Sequence, residues 1–171
     1  MSLMRFTQSV SLLLLGWLLC GATPVQHSPL GIRHVFLDAK KNVRILRNNG
    51  EIIQLTSAGR YADPKMAGDR KTIGWLVIAQ LEVSTNTWHE THSVRERLVI
   101  YRNGRMIRTI RPDGFIRSWG FWNAGKHVAI YSGALHFAGF YTLVDVGTGR
   151  VVSESQDPQT DGSPDWVRSL P

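Results

Sequence analysis

The chain has 171 residues, a formal net charge of +7, 43% hydrophobic and 19% charged residues, and a single Cys. That length holds one domain, and ordinary apolar content at this charge excludes intrinsic disorder, coiled coil and collagen. One Cys also excludes an intramolecular disulfide and multi-thiolate zinc or iron–sulfur sites.

The first ten residues carry one cation, Arg5, and no acid, and they lead into Ser11-Leu12-Leu13-Leu14-Leu15-Gly16-Trp17-Leu18-Leu19-Cys20. The apolar run is about half the roughly 20 residues that a transmembrane helix needs. Small residues follow it, Cys20, Gly21 and Ala22, and the whole has the outline of a signal peptide over residues 1–22, cleaved after Ala22. A lipid on Cys20 is an alternative, against which Leu19 stands where Gly, Ala or Ser is wanted. An N-terminal core helix stopped by Thr23-Pro24 is another. Residues 23–33 contain Pro24, Pro29 and Gly31 without a hydrophobic period, and they read as a linker.

From His34 onward the apolar runs are short, β-branched or aromatic, and end in Gly, Asn or Asp. They are His34–Leu37, Val43–Leu46, Ile52–Leu55, Thr72–Ala79, Leu98–Tyr101, Met106–Ile110, His127–Tyr131, Phe140–Val146 and Val151-Val152. Each is a predicted strand. No segment after the leader sustains a helical apolar period over 11 residues, so residues 34–171 are expected to form an all-β domain.

Three tight turns punctuate these strands, at Asn48-Asn49-Gly50, Asn103-Gly104 and Gly147-Thr148-Gly149, and Asn-Gly supplies the positive φ angles of a hairpin. Gly50, Gly104 and Gly149 are 54 and 45 positions apart, close to the roughly 40–50 residues of a four-stranded propeller blade. A second recurring piece, an inner strand, a polar turn and a long apolar strand, covers Ala62–Trp75 and Ser118–Ile130, and Gly162–Leu170 could begin a third. The clearest unit is Trp122-Asn123-Ala124-Gly125-Lys126-His127-Val128-Ala129-Ile130 followed by Leu143-Val144-Asp145-Val146-Gly147-Thr148-Gly149-Arg150-Val151-Val152. This pattern resembles the repeats of TolB-like and WD-type β-propellers between Arg33 and Trp166. The resemblance implies an antiparallel meander of propeller-like four-stranded units, used for binding or scaffolding, and it carries over no catalytic residue. About three units fall short of the four to eight blades of a closed ring, so the expected fold is an incomplete or small propeller-like sheet assembly, with edges that invite self-association into a homo-oligomer. The tail around Trp166 is a candidate closing strand.

Two sets of residues could carry chemistry. The segment Trp88-His89-Glu90-Thr91-His92, in the longest stretch expected to be irregular, offers two imidazoles and a carboxylate that could hold zinc. It is not the helical His-Glu-x-x-His pattern, and a polar hairpin tip is the alternative. The other set is seven arginines within 23 positions, Arg95, Arg97, Arg102, Arg105, Arg108, Arg111 and Arg117. Strand alternation puts Arg95 and Arg97 on one face. Guanidinium groups favour phosphate and carboxylate, so Trp88, Arg95, Arg97, Arg102 and Arg105 form the candidate binding set, while a solvated outer face is the alternative. By the same alternation, Trp119 and Phe121 point to one face and Trp122 to the other, as core residues do.

The expected function is an exported, periplasmic or secreted, non-enzymatic binding module without a cofactor. Its partner would be a protein or an anionic envelope component and not nucleic acid, and it would touch a membrane only through a lipid on Cys20. The alternative is a secreted metal-dependent hydrolase in which His89, Glu90 and His92 hold zinc and activate water.

Overall fold

The structure, a computed structural model, describes residues 31–84, 89–134, 138–156 and 161–171. The leader at 1–22, Cys20, most of the linker and Trp88 lie outside the described residues.

The domain is all-β. Among the described residues eleven strands follow one another as antiparallel meanders: β1 (Ile32–Leu37), β2 (Val43–Arg47), β3 (Ile52–Gln54), β4 (Tyr61–Met66), β5 (Thr72–Ser84), β6 (His89–Arg102), β7 (Arg105–Ile110), β8 (Phe115–Trp122), β9 (His127–Gly133), β10 (Phe140–Asp145) and β11 (Val151–Ser155). They form a first sheet β1-β2-β3, a middle sheet β4-β5-β6-β7 and a third sheet β8-β9-β10-β11. Two units of four strands and one of three, with no closed barrel, agree with a small propeller-like assembly. The turns follow the chemistry of their residues: Asn103 and Gly104 take φ of 51° and 85°, both positive as a tight primed turn requires.

The three sheets stack face on face. Ile32, Val35, Val43 and Ile45 of the first sheet pack on Ile73, Trp75 and Val99 of the middle one. On the opposite face of the middle sheet, Leu76, Leu98 and Ile100 meet Ile116, Trp119, Val128, Ile130 and Val144 of the third. The middle sheet is thus buried on both faces, which explains why Ile73-Gly74-Trp75-Leu76-Val77 is apolar without alternation. Trp119 and Phe121 share this second layer in an edge-to-face contact at 5.3 Å, and Trp122 lies on the far face of its sheet, as alternation requires.

Two expectations are corrected. The described residues between Leu81 and Leu98 are regular: β5 and β6 pair without a break from Val77↔Arg97 out to Ser84↔His89, apart from one bulge. Leu81 and Val83 alternate with polar residues there, enough to sustain a two-stranded ribbon beyond the stacked core. The tail forms a short helix, α1 (Asp165–Arg168), where a strand was expected. Pro164 precedes its first turn, the Val167 amide donates to the Pro164 carbonyl at 2.9 Å, and the helix lays Trp166, Val167 and Leu170 on Ala129 and Leu143 of the third sheet. The tail therefore caps an outer sheet face and pairs with no strand.

Candidate binding groove

The arginines of the middle sheet divide between its two faces, and a single extra residue separates Arg95 from Arg97. Across the β5–β6 ladder, Val77 faces Arg97 and Ile78 faces Arg95, so Glu96 is a bulge and two residues on β6 oppose one step on β5. A bulge of this kind shifts the alternation beyond it. Arg95 and Arg97, expected on one face, lie on opposite faces.

Arg95, Arg102 and Arg108 reach toward the third sheet, and each donates to a main-chain carbonyl. Arg95 Nη1 binds the Arg117 carbonyl at 2.7 Å, Arg102 Nη2 the Gly125 carbonyl at 2.7 Å, and Arg108 Nη2 the Gly147 carbonyl. Arg102 also donates through Nε to Thr72 Oγ1 at 2.6 Å, beside Asp69. Burial pushes the Asp69 carboxyl up, but hydrogen bonds from the Thr72 hydroxyl and the Lys71 and Thr72 amides, with the Arg102 charge, outweigh it and hold the group below its ordinary value. Gly125 has φ of +86°, and a Cβ there would stand 2.7 Å from Ala67 Cβ, so the carbonyl that Arg102 reads depends on glycine. These three arginines clip two sheets together. Arg111 pairs with Glu96 at 2.9 Å, and Arg117 donates to the Tyr131 hydroxyl at 3.0 Å.

Arg97 remains on the face toward the first sheet, while Arg105, paired with Arg102 beside the tight turn, shares the face of Arg102. Both Arg97 and Arg105 border a groove of about 440 Å³ whose floor includes Tyr61, Trp75 and Tyr101. The floor follows from pairing register: Tyr61–Val77–Arg97 make one cross-strand row, Trp75–Val99–Thr109 the next, and Tyr101–Met106 a third. Trp75 and Tyr101 are tilted against each other at 6.3 Å, and the Trp75 indole N–H is buried with no acceptor among the described residues. The groove lies beyond the three strands that the first sheet has among the described residues. These strands leave the facing side of β7 uncovered, where Met106 is 63% exposed. Arg97 has only Glu96 near it, at 3.8 Å, and Arg105 makes no hydrogen bond or ion pair among the described residues. A cation, Arg97, beside an aromatic and aliphatic floor can take a carboxylate or phosphate together with apolar surface.

A larger groove, of about 620 Å³, opens between β7 and the outer strands of the third sheet. Its arginines, Arg108 and Arg111, are engaged as above, and Asp113 and Glu154 stand in its wall. Anion binding there meets acids of its own sign.

The metal-ligating set does not converge. Glu90 and His92, two apart on β6, share a face and pair at 3.3 Å, while His89 lies on the opposite face. Among the described residues no group of three or more His, Cys, Asp or Glu is close enough to hold a metal ion. Sequence reading found Arg97 and Arg105 but not Tyr61, Trp75 and Tyr101. Their shared face was visible within Trp75–Val77 and Val99–Tyr101, whereas the pairing of β4 with β5 that adds Tyr61 was not.

No protein-family model matches the chain, and no curated protein or solved structure matches it.

Proposed function

We propose that this protein is an exported, non-enzymatic binding module that takes an anionic ligand, from a protein or an envelope component, in the groove between the first and middle sheets. The observation that carries the reading is the separation of the arginines. Three are consumed in holding sheets together, and Arg97, with only Glu96 near it, borders an aromatic floor. A propeller-like stack suits this use, since its sheets are rigid and its grooves recur between them. The leader-like segment 1–22 supports a place outside the cytoplasm.

The test is fluorescence titration of the purified protein with poly-L-glutamate and with inorganic polyphosphate, reporting through Trp75. Saturable binding is expected, weakened about tenfold or more when Arg97 and Arg105 are both changed to Ala, and unaffected by changing Arg111 to Ala. Equal binding by the wild type and the Arg97/Arg105 double variant would remove the reading.

A further inference from the structure

Resting on that reading, we infer that the ligand is a linear acidic polysaccharide, laid along the junction of the first and middle sheets. The groove at Tyr61, Trp75 and Tyr101 is one stretch of a longer furrow. At the end near the tight turn it shares Tyr101 and Gly104 with a cavity lined by Ile32, Ile45, Arg70 and Lys71. At the other end it shares Tyr61, Val77 and Arg97 with a cavity that reaches Arg60, Ile78 and Gln80. Arg60, Ile78 and Gln80 in turn line a fourth cavity, which extends to Lys41. The furrow follows β5, since the cavities take Lys71, then Trp75, then Val77, then Gln80 as their members. Nine positions separate Lys71 from Gln80, roughly 30 Å of strand. Its last part passes over a strand edge: Tyr61 opposite Val77 is where the β4–β5 ladder begins, and beyond Ile78, whose amide donates to the Arg60 carbonyl at 2.9 Å, β4 no longer pairs with β5.

The furrow carries charge of one sign. Lys41, Arg60, Arg70 and Lys71 are exposed and make no side-chain hydrogen bond or ion pair among the described residues, and Arg97 has only Glu96, at 3.8 Å. The two acids in its lining are already held, Asp63 by Lys65 at 3.3 Å and Glu96 by Arg111 at 2.9 Å. Cations at both ends and in the middle of such a path suit charges spaced along a chain better than a single phosphate, and a cleft of one sign draws such a chain in. Between the cations lie rings. Tyr61 and Tyr101 are half-buried, and their hydroxyls have no hydrogen-bond partner among the described residues. A sugar ring has an apolar C–H face to lay on an aromatic ring and hydroxyls to pair with phenols, and its carboxylate fits the guanidinium fork of Arg97. Polyphosphate and acidic peptides without rings would use the charge alone. The leader-like segment 1–22 favours a glycan met outside the cytoplasm over a nucleic acid.

The test titrates the full chain, by calorimetry, with digalacturonate and with an oligogalacturonate long enough to span about 30 Å. The oligomer is expected to bind about tenfold tighter or more, because it reaches cations that the disaccharide cannot. Changing Arg70 and Lys71 to Gln at one end, or Lys41 and Arg60 to Gln at the other, should weaken the oligomer about fivefold or more and leave the disaccharide unchanged. Arg150→Gln removes a cation that lines none of the four cavities and should change neither. Polyphosphate and poly-L-glutamate of equal charge should bind about tenfold more weakly than the oligomer. Equal affinity for oligomer and disaccharide, or end variants that bind the oligomer as the wild type does, overturns the extended furrow. Ring-free polymers that bind as tightly as the oligomer, or oligothymidylate that binds more tightly, overturn the polysaccharide assignment. If poly-L-glutamate still binds through Arg97 in either case, the anion-binding reading stands alone; if no polyanion binds, both fall.

Discussion

Arg102 and Gly125 belong to different sheets, and one hydrogen bond of 2.7 Å from the guanidinium to the carbonyl joins them. The same guanidinium holds Thr72 on its own sheet, so a single side chain ties the β4–β5 turn, the β6–β7 hairpin and the turn before β9. Arg102→Ala leaves the Gly125 carbonyl and the Thr72 hydroxyl without that donor and removes the cation beside Asp69; it is expected to cost about 2–3 kcal/mol, a fall of roughly 5–10 °C in melting temperature for a domain of this size. Arg102→Lys should recover less than half, because one ammonium cannot span both partners as the planar fork does. Thermal melts of the two variants decide it.

Gly74 sits near the start of β5, between the sheets, where sequence alone offers no reason for glycine. A Cβ there would lie 2.8 Å from the Trp119 ring, 3.0 Å from Ile100 Cδ1 and 3.1 Å from the Val99 carbonyl. The Trp119 ring can use that space only because the side chain is missing. Gly74→Ala is expected to destabilise by about 1–3 kcal/mol through overpacking, and Gly74→Ala with Trp119→Phe should recover part of it, read by denaturant unfolding.

The strand class was legible because every apolar run was short and bounded by turn residues, and the Asn103-Gly104 turn carried its geometry in its composition. The faces were legible wherever alternation ran unbroken, as at Trp119, Phe121 and Trp122. They failed where a bulge intervened. Nothing in Arg95-Glu96-Arg97 signals an extra residue, since a bulge is set by how two strands meet and not by the sequence of one. The tail failed for a related reason: four residues are too few to show a helical period, and their docking on the third sheet decides their form. The groove was invisible as a whole because it lies between two stacked sheets, and which strands face each other there is set by tertiary packing.

Asp69 gives the fold a dependence on acid. Its carboxyl is held below the ordinary value of 3.8, as are those of Asp38, held first by the Asn42 amide, and Asp145, held first by the Thr148 amide. The native state thus binds a proton less readily than the unfolded chain at each of these sites. The stability they contribute is complete above the unfolded value, near pH 4, and is lost as the pH falls through the lower native values. Melting temperature is expected to be level with respect to these groups at pH 5–7 and to fall below about pH 4. Asp69→Asn should lower it at pH 7 and flatten the acid limb, and a slope unchanged between wild type and variant would remove Asp69 from the account.

The last expectation concerns α1. Trp166 is 7% exposed, Val167 fully buried and Leu170 5% exposed, against Ala129 and Leu143, with Trp122, Tyr131 and Tyr141 packed around them. The Ser118 hydroxyl donates to the Pro171 carbonyl at 3.0 Å and holds the end of the tail on β8. Among the described residues no further sheet packs on this side of the third sheet, and α1 covers that face. Trp166→Ala is expected to cost about 3–5 kcal/mol, as loss of a large buried aromatic does. Deleting residues 161–171 should do more: it uncovers an apolar sheet face, and such faces associate. A lowered melting temperature together with an increased mass by light scattering is the expected pair of results. A truncated protein that melts as the full chain does and stays at monomer mass would show that the tail covers nothing of consequence.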